Sequence, residues 1–128
     1  VTEVPEVEIE RLRRYITDKD QFELRVQRLN SLLSRLNEKE LSSEAMIFKA
    51  LSDTNRLKII KLLKEGELCV CELTTALSTS QSTVSHHLSV LKNAGLIKER
   101  KEGKWSYFRL SEGAVIEILN QAKLLTDA

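Results

Sequence analysis

The chain has 128 residues, 41% of them hydrophobic and 30% charged, with a formal net charge of +1. That length suits one domain with appendages, and four Gly and one Pro favour a mostly helical chain with few irregular loops. No apolar run approaches the ~20 residues needed to cross a bilayer, and no signal-peptide pattern is present, so a cytoplasmic protein with no membrane partner is expected.

Residues 6–40 read as one long helix or a broken pair. Phe22, Val26, Leu29, Leu33 and Leu36 follow a 4-3-4-3 spacing and share one narrow seam. Ile9, Leu12 and Ile16 continue the stripe upstream, and Asp18 or Asp20 can cap a new helix near residue 19. A narrow seam needs a partner, either the chain's own core or the same helix in a second copy, and the second copy is favoured. Ser42 or Ser43 can cap a helix through Met46, Ile47, Ala50 and Leu51. Asp53 can cap the next, with Leu57, Ile60 and Leu63 inward and Gly66 closing it.

Cys69 and Cys71 follow, the chain's only two cysteines. They are too few for a secreted disulfide framework; in a reducing compartment such a pair is metal-binding, redox-active or simply buried. In a regular helix, side chains at i and i+2 point about 200° apart and cannot share an ion. In an extended or partly unwound segment they point the same way, and the pair sits where a helix over 71–77 should begin. Thiolates favour soft ions, but two sulfurs underfill a trigonal or tetrahedral site.

A helix over 80–93 comes next, after a short link. Two short helices joined this way have helix-turn-helix spacing. Val84, Leu88 and Leu91 fall on one face and must be buried. Ser82, Ser85, His86, Ser89 and Asn93 lie broadly opposite, and the helix carries no acidic residue. Such a small polar face can enter a major groove. Ser80, Gln81, Ser82 and Thr83 form the first turn, where free backbone N–H groups attract phosphate. The competing reading is a merely capped surface helix. His87, on the flank of the apolar face, reads as a hydrogen-bonded packing residue.

Residues 96–110 switch to strand character, with a turn at Gly103 that fits a three-residue loop. Lys98, Arg100, Lys101, Lys104 and Arg109 cluster on this ribbon, and residues 80–110 hold six basic groups against two acidic, net +4. The positive charge therefore gathers where a DNA footprint would lie, with Arg100, Lys101 and Lys104 as candidate phosphate contacts. Trp105, Tyr107 and Phe108 read as packing residues. Ala114, Val115, Ile118, Leu119, Ala122 and Leu125 mark a closing amphipathic helix. No nucleophile–base pair, phosphate loop or metal-activation motif appears, so an enzyme is not expected.

Four stretches together carry a family resemblance. They are Phe48-Lys-Ala-Leu-Ser-Asp-Thr-Asn-Arg-Leu-Lys-Ile-Ile60, Glu67-Leu-Cys-Val-Cys-Glu-Leu73, Ser85-His-His-Leu-Ser-Val-Leu-Lys-Asn-Ala-Gly-Leu-Ile97 and Arg100-Lys-Glu-Gly-Lys-Trp-Ser-Tyr-Phe-Arg-Leu110. In that order they strongly resemble the ArsR/SmtB family of metalloregulatory repressors. The resemblance implies a dimeric winged helix-turn-helix that binds double-stranded operator DNA and releases it when a toxic ion binds. It makes Cys69 and Cys71 the ion ligands, in a box most like those of the arsenite and cadmium/lead branches. Arsenite, antimonite, cadmium and lead are then candidate effectors, none needed for folding.

Three departures limit the carry-over. The arsenite branch typically has a third Cys after the box, where Thr74 stands here; the cadmium/lead branch adds N-terminal cysteines, and residues 1–68 have none; residues 111–128 lack the histidines of the zinc-type site. An ion held here would bind more weakly than in three-thiol relatives, or would recruit solvent or a small thiol.

The expected fold is mostly α with a small β-hairpin, a winged helix-turn-helix with a long N-terminal helical extension. Residues 1–41 form the extension and dimerise through Phe22, Val26, Leu29, Leu33 and Leu36. Residues 42–111 form the DNA-binding domain. Residues 112–128 add a helix whose Val115, Ile118, Leu119 and Ala122 join the dimer interface. DNA-facing residues are Ser80, Gln81, Ser82, Thr83, Ser85, His86, Ser89, Arg100, Lys101 and Lys104. The alternative is a winged-helix regulator controlled by thiol redox state or by no small effector.

Overall fold

A computed structural model describes residues 3–113 and Ile116. The chain divides into two compact units, residues 1–42 and residues 43–128. Val115, Ile118, Leu119 and Ala122 of the expected closing helix lie outside the described residues.

The first unit carries α1 (Glu6–Arg13) and α2 (Lys19–Ser34), so the N-terminal stripe is broken rather than continuous. The break lies before Asp18, whose carboxylate accepts from the Gln21 amide at 3.0 Å and caps α2. Phe22 is buried, and the Arg13 guanidinium lies over its ring at 4.4 Å. This member of the seam already has a partner in its own chain. Val26 and Leu33 are half-buried, whereas Leu29 and Leu36 are exposed. Leu24 and Leu32, off the seam, are exposed too.

α3 (Glu38–Leu51) starts earlier than expected. Asn37 is the capping side chain, accepting from the amides of Lys39 at 2.9 Å and Glu40 at 3.1 Å. Ser42 and Ser43 therefore sit inside the helix, not at its N-terminus. Asn37, five residues upstream of Ser42 and followed by Glu38 and Glu40 in the first turn, sets the N-terminus.

The second unit holds the hydrophobic core. α4 (Thr54–Leu63) is capped by Asp53, which accepts from Asn55 N at 2.8 Å and Arg56 N at 3.1 Å. α5 (Val70–Leu77) and α6 (Gln81–Asn93) are joined by three residues. Ser78 takes the left-handed conformation there, with φ 52°, and the chain turns at once into the next cap at Ser80. Ile59, Ile60, Leu63, Leu73, Val84, Leu88, Leu91, Leu96, Ile97 and Phe108 pack together, and Ile116 lies against them.

The ribbon is β2 (Ile97–Glu102) and β3 (Trp105–Leu110), antiparallel, with Ile97 opposite Leu110 and Glu102 opposite Trp105. That register leaves a two-residue loop, Gly103-Lys104, not the three-residue loop expected. Gly103 has φ 61° and is the loop's only residue with positive φ. A short strand β1 (Leu68–Cys69) pairs on the other edge of β3, giving the order β1-β3-β2. The cysteine spacing leaves an extended segment open here but names no strand for it to pair with.

Arg56 links the helices of this unit. Its Nε donates to Ala50 O at 2.6 Å, one Nη donates to Lys49 O at 3.4 Å, and the other lies 3.3 Å from His87 Nδ1. A guanidinium has no acceptor, so the imidazole nitrogen accepts. His87 is buried at 7% exposure and is the hydrogen-bonded packing residue expected.

The Asp53 carboxyl is held below its ordinary value of 3.8, first by the Arg56 amide and also by the nearby charge of Arg56. A depressed folded-state value contributes stability that is present above 3.8 and lost as the pH falls through the lowered value. Asp53→Ala should cost about 1 kcal/mol of stability near neutral pH. Denaturant unfolding should show the gap between parent and variant closing as the pH is lowered below about 3.8.

Candidate functional site

α6 presents the face that the helical wheel requires. Val84, Leu88 and Leu91 are buried, while Gln81, Ser82, Ser85, His86, Ser89 and Asn93 are exposed and Thr83 is half-buried. Ser80 caps the helix, its Oγ accepting from the Thr83 amide at 3.2 Å. The same hydroxyl donates to Thr83 Oγ1 at 2.8 Å and lies 3.2 Å from Ser82 Oγ. The first turn is thus a hydroxyl cluster around free amides, a suitable surface for a phosphate oxygen.

Cations on the ribbon have different surroundings. Arg100 donates to Glu67 at 2.6 Å and to Glu102 at 2.7 Å, and its guanidinium lies 4.7 Å from the Tyr107 ring centroid. Its guanidinium pKa is pushed up and that of Glu67 down, each mainly by this hydrogen bond. Arg100 thereby ties the ribbon to Glu67, next to β1. Lys92 pairs with Glu99 at 2.9 Å and joins α6 to β2, holding the Glu99 carboxyl below its usual range. Lys101 and Lys104 make no salt bridge among the described residues. Lys104 lies at the loop, its Nζ 5.4 Å from the Trp105 ring centroid. These two lysines, with Lys98 and Arg109, which also make no salt bridge among the described residues, are the ribbon's available charges.

The cysteine pair spans the junction between β1 and α5. Cys69 ends the strand with φ −86° and ψ 163° and is the N-cap of α5, so it escapes the helical angle that would separate the two side chains. Cys71, in the first turn, meets it: the two are disulfide-bonded, with Cα atoms 5.4 Å apart. A capping box holds Cys69, its amide donating to Glu72 Oε1 at 3.0 Å and its sulfur accepting from Glu72 N at 3.4 Å. Cys69 is buried and Cys71 exposed. Leu68 and Val70 pack against the core.

As thiolates, two sulfurs placed this way fit two-point attachment of a soft ion. Among the described residues no group of three or more His, Cys, Asp or Glu could hold a metal. Thr74 and Thr75 lie on the next turn, but their hydroxyls donate back to Val70 O at 2.7 Å and Cys71 O at 2.9 Å. A cavity of about 430 Å³ opens beside Cys71, bounded by Thr74, Thr75, Gln81, Lys104, Trp105 and Ser106. It brings together the thiol site, the start of α6 and the wing loop. Sequence spacing could not have shown it, because it depends on β1 lying beside β3.

Comparison with known proteins agrees with this arrangement. Residues 53–99 match the family model described as bacterial regulatory protein, arsR family. A cadmium resistance transcriptional regulatory protein CadC homolog of Staphylococcus aureus is 48% identical over 81 residues, 62% of this chain and 67% of the relative. This chain belongs to the arsR family. The arsenical resistance operon repressor of Escherichia coli is 54% identical over 66 residues, 51% of this chain and 56% of that protein. A homodimeric winged helix-turn-helix domain from Mycobacterium bovis, a possible ArsR-family regulator, is similar with a TM-score of 0.64, at 32% identity over 70% of this chain and 83% of that one. The arsR-family chain is thus a transcriptional regulator with a DNA-binding winged helix-turn-helix. No helix among its described residues is long and apolar enough to cross a membrane.

Within this arsR-family site the capping box fixes Cys69. Glu72→Ala should cost about 1 kcal/mol of stability. It should also speed hydrogen exchange at the Cys69 amide more than at amides in the middle of α6, measured by NMR.

Proposed function

We propose that this chain is a homodimeric repressor that binds operator DNA through α6 and the wing and releases it when a thiophilic ion engages Cys69 and Cys71. What carries this reading is the shared sheet: Cys69 pairs with Tyr107, so the thiol box and the wing are neighbours on adjacent strands. The cadmium- and arsenic-resistance names of the relatives support an ion of that class. The homodimeric domain from Mycobacterium bovis supports the twofold assembly.

In this reading Ser82, Ser85, His86 and Ser89 face base edges, while Ser80, Gln81, Thr83, Lys101 and Lys104 face the sugar-phosphate backbone or the groove edge. Arg100 acts through Glu67 and Glu102, as a positioning residue. A bound soft ion supplies a crosslink between two thiolates. The protein's part is to hold Cys69 at the cap and Cys71 on the first turn, so that any change in their separation alters the start of α5. The exposed Leu29 and Leu36, with half-buried Val26 and Leu33, supply the apolar surface for a second chain.

A second reading rests on the disulfide between Cys69 and Cys71. Oxidation and reduction of this pair would then be the signal, with no ion involved.

Four sets of variants test these readings. Lys101→Ala with Lys104→Ala should weaken binding to every DNA sequence and flatten the salt slope by up to about one unit per lost contact. Ser82→Ala or His86→Ala should instead change base preference. Cys69→Ser and Cys71→Ser should each keep operator binding and abolish ion-driven release, read by fluorescence anisotropy in reductant. If the double Ser variant still releases DNA at the same arsenite or cadmium concentration, the effector site lies elsewhere. If the parent ignores both ions but loses DNA reversibly with oxidant, the redox reading stands. Removal of residues 1–40 should weaken dimerisation in sedimentation; a full-length monomer at micromolar concentration would refute the assembly.

A further inference from the structure

The cavity beside Cys71 has no role in the reading above. Its volume of about 430 Å³ is lined by Val70, Cys71, Thr74, Gln81, Lys104 and Ser106 among others, with no carboxylate among its lining residues. A trivalent metalloid held by two thiolates has one position left to fill. Thr74 offers a hard oxygen already committed to Val70 O. The chain has no third cysteine. His87 is buried against Arg56. A third sulfur must therefore come from outside this chain, and there is space for it on the open side of Cys71. The cation on that wall is Lys104, which makes no salt bridge among the described residues.

We propose that this cavity takes a small monothiol bearing a carboxylate. Its sulfur completes a three-sulfur centre on the metalloid, and its carboxylate faces Lys104. The inference rests on the reading of Cys69 and Cys71 as effector ligands. The exchange balances without redox: arsenite, As(OH)₃, gives up three hydroxyls as three waters, taking one proton from each of two protein thiols and one small thiol, and arsenic stays trivalent. The disulfide must first be reduced, and a phosphine does this without adding a thiol, becoming its oxide as water supplies the oxygen and two protons. Lys104 is also a proposed phosphate contact, so the bound carboxylate would divert a charge that DNA uses.

The test uses the DNA-free full chain, reduced with a phosphine that is then removed. Arsenite is titrated alone, with anionic mercaptoacetate and with neutral mercaptoethanol, following thiolate-to-arsenic absorption and the intact mass. Mercaptoacetate should tighten arsenite binding about tenfold over mercaptoethanol. The mass should show one arsenic and one small thiol per chain. Lys104→Gln should erase the preference and Lys104→Arg should keep it, a comparison that cancels intrinsic differences between the two thiols. Equal binding with both thiols, a preference that survives in Lys104→Gln, or one arsenic shared by two chains would overturn the proposal while leaving the cysteine site standing. No arsenite absorption under any condition, with parent and Cys71→Ser alike, would overturn the cysteine site and this inference together.

Discussion

The pairing of Leu68 and Cys69 with Phe108 and Tyr107 is the constraint on which the rest depends. A two-stranded ribbon is marginal in water, and it gains independent stability from a third strand or a helix packed against it. Here β3 has both, with β1 on one edge and the core beneath Phe108. A two-residue strand is itself a weak element, and three groups hold it. Glu67 is fastened to Arg100, Leu68 packs on the core, and Cys69 is locked by the reciprocal cap with Glu72. Cys69 thus belongs at once to a sheet and to a helix start. A change in its backbone acts on its β3 neighbour and on α5 together.

Charge follows the same division of labour. Where cations touch the framework they are neutralised: Arg100 by Glu67 and Glu102, and Lys92 by Glu99. These exposed pairs add little stability one by one, because water screens them. Their larger effect is on position: Arg100–Glu67 joins segments 33 residues apart, and Lys92–Glu99 ties α6 to β2. Lys101 and Lys104, towards the loop, are outside these pairs, as are Lys98 and Arg109, which face each other near the base, so positive charge runs along the ribbon. α6 adds no negative charge to oppose it.

The sequence made local features legible and left the long-range ones hidden. The buried stripe of α6, the Asp53 cap, the Asp18 cap and the burial of His87 follow from spacing and from short polar side chains at helix starts. The α3 cap did not, because Asn37 and the two serines at 42 and 43 all satisfy the same rule and only competition among them decides. The ribbon is visible in the sequence, but its loop length is not, since Gly103 fits two residues or three. β1 was invisible: two residues carry no periodicity. Glu67 and Arg100 lie 33 residues apart, and nothing in a single sequence pairs them. The cavity beside Cys71 is a product of that hidden pairing, which is why the thiol box could be found while its neighbours could not. The spacing on α2 marks an apolar stripe but does not name its partner, and Phe22 lies beneath Arg13 of its own chain.

The shared location of thiols and wing limits how an effector could act. A ligand shifts a binding equilibrium only by the difference in its affinity for the two states. For a hundredfold loss of operator affinity that difference is about 2.7 kcal/mol. A distant site would need a bistable element to carry so much coupling. At Cys71 the requirement is more easily met, because Gln81 and Lys104 line the same cavity and are also proposed to face DNA. Two modest effects would then add: a strained start to α5, and a charge drawn away from phosphate. Reciprocity follows, since DNA that holds Lys104 and Gln81 in place must weaken the effector by the same factor. On this geometry the repressor's sensitivity would be set by DNA occupancy as well as by the number of sulfurs around the ion.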